Sequence, residues 1–88
     1  MKSKPGKKSN SKKAISQEDE MKKIGIRIRE LRIAKGYTSY EIFAYEHDIS
    51  RAQLGRYENG QDLRMSSLLR VIEALDTTLK DFFGEGFD

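Results

Sequence analysis

The chain has 88 residues, 35% of them charged, and a formal net charge of +3. A sequence this short makes one domain with a modest core, which excludes a large enzyme cleft. It has no Cys and His47 as its one His, so a disulfide framework and a Cys or His metal site are excluded, and no catalytic constellation, metal or cofactor is expected.

No apolar run reaches the roughly 18 residues of a membrane span. The basic N-terminus is followed only by Ala14 and Ile15, not by the apolar region of a signal peptide, so a cytoplasmic protein without membrane contact is expected. Residues 1 to 19 carry six Lys against Glu18 and Asp19, a net of +4, leaving 11 basic and 12 acidic side chains beyond them. Residues 1 to 15, rich in Lys and Ser with Pro5 and Gly6, hold too little apolar surface to offset chain entropy and are expected to be disordered. The folded domain is expected over residues 16 to 88. It is nearly neutral, so its affinity for a polyanion depends on where its charges sit, while the tail adds a diffuse, salt-sensitive attraction.

Ser16 and Asp19 form an S-x-x-D helix start. Met21, Ile24, Ile28 and Leu31 continue it at helical spacing, and Gly36 stops it. A second, short helix opens at a Thr38-x-x-Glu41 capping box, with Ser39 an equal candidate for the cap, and carries Ile42, Phe43 and Ala44 as core residues. His47, Asp48 and Ile49 lead straight into Ser50, which with Gln53 caps a third helix ending at Asn59-Gly60. Two short helices joined this closely form a helix-turn-helix, here over about residues 39 to 58. Met65, Leu68, Leu69, Ile72 and Leu75 mark a fourth helix, and Thr78-x-x-Asp81 caps a short fifth bearing Leu79, Phe82 and Phe83. Nothing reads as a strand. Some of Phe82, Phe83 and Phe87 supply a dimer contact, or Phe82 and Phe83 close the monomer core.

The third helix separates two chemistries. At about 100° per residue, Leu54 and Tyr57 fall on one side, while Arg51, Ala52, Gly55, Arg56 and Asn59 fall on the other. A narrow cationic face beside small residues suits a DNA major groove, where Arg pairs bidentately with guanine. The alternative is a solvated surface helix. Gly55 in mid-helix costs about 1 kcal/mol relative to Ala, and its missing side chain allows close DNA approach or leaves room for Arg51.

These segments resemble the phage-repressor (Cro/cI-like, or XRE) helix-turn-helix family. The resemblance runs from about Ile24 to Phe83. It rests on I-x-x-L-R with a following Gly (Ile28, Leu31, Arg32, Gly36), on F-A-x(4)-I-S-R (Phe43 to Arg51), on Y-E-N-G (Tyr57 to Gly60) and on L-x-x-V-I-E-A-L (Leu68 to Leu75). It implies an all-α, compact five-helix lambda-repressor-like domain and a sequence-specific, double-stranded DNA-binding transcriptional regulator. By the same resemblance this is a repressor, binding a two-fold operator as a homodimer. An antitoxin with a toxin partner is a variant, and an adaptor that binds protein instead of DNA is the alternative from another class.

The base-reading positions of the family correspond to Arg51, Ala52 and Arg56. Those near the DNA backbone correspond to Ser50, Tyr40, Asn59, Gly60, Gln61 and Arg64, with Gly55 added for close approach; Arg70 is expected to be solvated. Arg32 and Glu58 match a pair that ties the first helix to the end of the third, so an ion pair is expected there. Three departures stand out. Asp48 replaces the usual turn Gly, so a strained or altered turn is expected. His47 replaces Leu and is expected at the core edge with one nitrogen satisfied, a pH-sensing or ligand His being the alternative. The first two helices are also separated by one residue more than in many members.

Overall fold

The computed structural model describes residues 15–87, so the Lys-rich tail expected to be disordered lies outside the described residues except for Ile15. Five helices follow one another: α1 (Gln17–Ala34), α2 (Tyr40–Glu46), α3 (Arg51–Glu58), α4 (Met65–Ala74) and α5 (Leu79–Phe82). No strand occurs among the described residues, and no helix there is long and apolar enough to cross a membrane.

Local chemistry starts these helices. The hydroxyls of Ser16, Ser39, Ser50 and Thr78 each accept the backbone N–H three residues on, at 3.1–3.3 Å. Ser39 rather than Thr38 therefore caps α2. Glu18, Asp19 and Glu20 also place negative charge at the positive end of α1. Helix α4 lacks a side-chain cap.

One device ends four of the helices. After α1, Tyr37 N–H donates to the Arg32 carbonyl and Gly36 N–H to that of Ile33, the paired bonds of a Schellman motif. The same pairing recurs at Ile49 and Asp48 after α2, at Gln61 and Gly60 after α3, and at Thr77 and Asp76 after α4. The residue at the bend has positive φ each time: +102° at Gly36, +57° at Asp48, +88° at Gly60 and +60° at Asp76. Asp48 thus adopts the left-handed conformation that Gly would take, and the turn is closed in the ordinary way.

The core gathers Ile28 of α1, Phe43 and Ala44 of α2, Leu54 and Tyr57 of α3, Leu68, Val71, Ile72 and Leu75 from α4 and its end, and Phe82 of α5. Ile42 is not in it: the side chain is 55% exposed. A seven-residue helix buries a single face, and Phe43 and Ala44 occupy it, with His47 one turn after Phe43. On α4 the 68, 71, 72, 75 spacing takes the core, leaving Met65 and Leu69 exposed.

The C-terminal aromatics pack on one another within the chain. Phe82 is fully buried and packs edge-on against Phe83, whose ring meets Phe87 at 4.8 Å between centroids. Arg27 of α1 fastens them, donating to the carbonyls of Phe82 and Glu85 while its guanidinium sits 5.4 Å from the Phe87 ring centre.

Candidate nucleic-acid interface

Helix α3 turns its apolar side inward and its cationic side outward. Leu54 is fully buried and Tyr57 nearly so, whereas Arg51, Ala52, Gln53 and Arg56 are exposed. Three contacts fix this orientation. Gly25 of α1 lies directly against the end of α3, where a Cβ would stand 2.5 Å from the Tyr57 carbonyl oxygen; only Gly permits this approach. Arg32 donates to both carboxylate oxygens of Glu58, Nε at 2.8 Å and Nη2 at 3.0 Å, and Nη1 donates to the Tyr37 carbonyl at 2.7 Å. Those side chains are only 4% and 9% exposed, so the pair is a buried clamp between α1 and α3. Finally, the Tyr40 ring of α2 rests over Gly55, where a Cβ would come 3.2 Å from Cε1 and 3.5 Å from the hydroxyl oxygen. The gap left by Gly55 is thus filled by Tyr40, not by Arg51.

The turn before α3 is packed with aromatics. His47 lies 4.5 Å from the Phe43 ring and 5.9 Å from that of Tyr37. Its Nε2 is buried without a hydrogen-bond partner among the described residues, at the edge of the core as expected. Tyr37 donates its hydroxyl to Glu46 at 2.7 Å; that bond, with burial and the carboxylate charge behind it, holds the phenol above its ordinary pKa of 10.0.

Two open grooves flank α3. One, of about 370 Å³, is bordered by Gln53, Arg56 and Tyr57 of the helix and by Arg64 across the loop. The other, of about 320 Å³, is bordered by Gly55, Glu58 and Asn59 and by Thr38 and Tyr40. Around α3 these borders are opposite flanks, with Ala52 on the outer line between them.

The remaining expected site residues gather at the ends of α3. Ser50 caps its start and is exposed; Asn59 is exposed at its end. Gly60 combines positive φ with close packing, since a Cβ there would stand 3.0 Å from Lys22 Cγ. Gln61, Arg64 and Arg70 are exposed. Sequence reasoning passed over two charged neighbours of this surface. Glu41 of α2 reaches Arg51 at 3.7 Å, and Arg29 of α1 lines the groove beside Tyr40. The signal for Arg29 was present: it precedes Arg32 by three residues and shares its side of the helix.

The helix-turn-helix family matches residues 28–82, which span α2 to α5 and the second part of α1. The chain belongs to the Cro/cI-like helix-turn-helix family. As a member it is a DNA-binding transcription regulator. Among solved structures it is similar to the restriction-modification controller protein C.AhdI from Aeromonas hydrophila, with 33% identity, a TM-score of 0.66, and coverage of 74% of this chain and 98% of that one. No curated protein matches the chain.

Proposed function

We propose that this helix-turn-helix protein recognises a specific operator by laying α3 in the major groove. Arg51 and Arg56 read base edges there, and Ala52 makes an apolar contact. Tyr40, seated on Gly55, together with Ser50, Asn59, Gly60, Gln61 and Arg64, sets its register against the sugar-phosphate backbone. Two copies engage two half-sites about 34 Å apart, and the protein represses by occupancy, with no chemical step. The observation that carries this reading is the exposed Arg51, Ala52, Arg56 face on a helix whose other side is locked by the Arg32–Glu58 clamp. A protein-binding adaptor would be better served by an apolar patch on that face.

The likeness to the Aeromonas hydrophila controller favours a regulator of restriction-modification genes over an antitoxin. The test is selection of duplexes from a random pool, followed by binding measurements with Arg51→Ala and Arg56→Ala. Each substitution is expected to cost about 1–3 kcal/mol on the selected duplex and to relax preference at one base pair in each half-site. Equal losses on every duplex, with preference intact, would reject base reading by α3. Sedimentation of the protein with its duplex reads the two-copy stoichiometry directly.

A further inference from the structure

Resting on the reading of α3 as the base-reading helix, we propose that the groove between α1 and α3 binds a phosphate of the DNA backbone, with Arg29 as its cationic anchor. Arg29, Arg32 and Glu58 are the charged side chains lining this groove. The guanidinium of Arg32 is committed to Glu58 and the Tyr37 carbonyl, and the Glu58 carboxylate is neutralised in return. Arg29 therefore sets the sign of the groove. It sits one turn before Arg32 on the same side of α1, but it is exposed where Arg32 is buried.

Neutral donors surround that charge. Because Ser39 caps α2, the Thr38 hydroxyl on the groove wall is free of that task. Tyr40 presents a phenol whose ring is seated on Gly55, and Asn59 adds an amide from the end of α3. A planar guanidinium beside hydroxyl and amide donors, with the one carboxylate already paired, suits the oxygens of a phosphodiester.

The position agrees with the chemistry. A helix in the major groove has a phosphate backbone along each wall. The groove bordered by Arg56 and Arg64 faces one wall; the groove of Arg29 and Tyr40, on the opposite flank of α3, faces the other. Helix α1 then becomes part of the DNA interface, although it lies outside the helix-turn-helix.

The experiment compares the full chain with Arg29→Gln, Arg29→Lys, Tyr40→Phe and the Arg29→Gln/Tyr40→Phe double variant, on the selected duplex and on a scrambled duplex of equal length. Arg29 is exposed, so Arg29→Gln and Arg29→Lys are expected to melt with the wild type. Arg29→Gln is expected to weaken binding about ten-fold on both duplexes and to flatten the slope of log K against log salt by about 0.9 per half-site. Arg29→Lys restores the slope, because it restores the charge. Tyr40→Phe costs a few-fold with the slope unchanged, and the double variant loses less than the product of the single losses, since both groups hold one phosphate.

Wild-type affinity and slope for Arg29→Gln would overturn the proposal, as would a changed duplex preference. Fully multiplicative losses in the double variant would put the two side chains on separate phosphates and overturn the shared groove. Were the wild type to show no preference between duplexes while Arg29→Gln still flattened the slope, base reading would fall and the phosphate groove would stand.

Discussion

A single charged pair decides how α3 is held. Arg32 and Glu58 are almost fully enclosed, so each charge depends on the other, together with the Tyr37 carbonyl, for what water would supply. Such a pair contributes orientation more than net stability, because desolvating two ions offsets most of their attraction. Two outcomes follow, and their order is not the one that a simple count of hydrogen bonds gives. Glu58→Ala, which strands a buried guanidinium, is expected to lower stability by about 3 kcal/mol in urea denaturation. The double replacement Arg32→Met/Glu58→Leu, which removes both charges and keeps the volume apolar, is expected to lose less than Glu58→Ala alone while still blurring duplex preference. A larger loss for the double variant would make the pair a net stabiliser and remove the argument that it serves to aim α3.

At the scale of the element, the helix ends carry the stability argument. All four Schellman ends need a left-handed residue, which Gly adopts without penalty and other L-residues at a cost of about 1–2 kcal/mol, less for Asp. Two of the four use Asp. Asp76 is exposed and far from α3 in sequence, so Asp76→Gly isolates the backbone term; it is expected to stabilise by about 0.5–1 kcal/mol and to raise the melting temperature by several degrees without touching DNA affinity. A lower melting temperature would mean that the Asp side chain contributes more at that end than the strain it carries. The same ends show what sequence can and cannot reveal. Ser16, Ser50, Thr78, Gly36 and Gly60 were legible because a cap or a stop is settled within a few residues. The two faces of α3 were legible because periodicity alone places Leu54 and Tyr57 opposite Arg51 and Arg56. Asp76 was missed because a Schellman end with Asp has no distinctive residue. Ile42 was misplaced because which face of a two-turn helix is buried depends on its neighbours. Gly25, and the seating of Tyr40 on Gly55, were hidden for a related reason: each Gly is explained by an element distant in sequence that packs against it.

Across the whole molecule, α1 has two opposed duties. One side, through Gly25, Arg29 and Arg32, meets α3 and the surface proposed for DNA; nearly opposite, Lys23 and Arg27 hold the C-terminal aromatics. Arg27 bridges more than 50 residues of sequence to the Phe82 and Glu85 carbonyls, so it closes the domain from its first helix to its last. Arg27→Met keeps most of the aliphatic stem but removes two charge-assisted hydrogen bonds and the cation–π contact, with an expected loss of about 2 kcal/mol once the part-exposure of the site is allowed for. For a domain of this size that amounts to a fall of roughly 10 °C in melting temperature. The loss should be concentrated at the C-terminal end: residues 83–87 are expected to become sensitive to limited proteolysis by chymotrypsin, which cuts after Phe, well below the melting transition. Because Arg27 lies across α1 from Arg29 and Arg32, duplex affinity measured below that transition is expected to match the wild type. A variant that lost duplex preference at full helix content would show instead that the C-terminal aromatics, acting through α1, help to set the angle of α3.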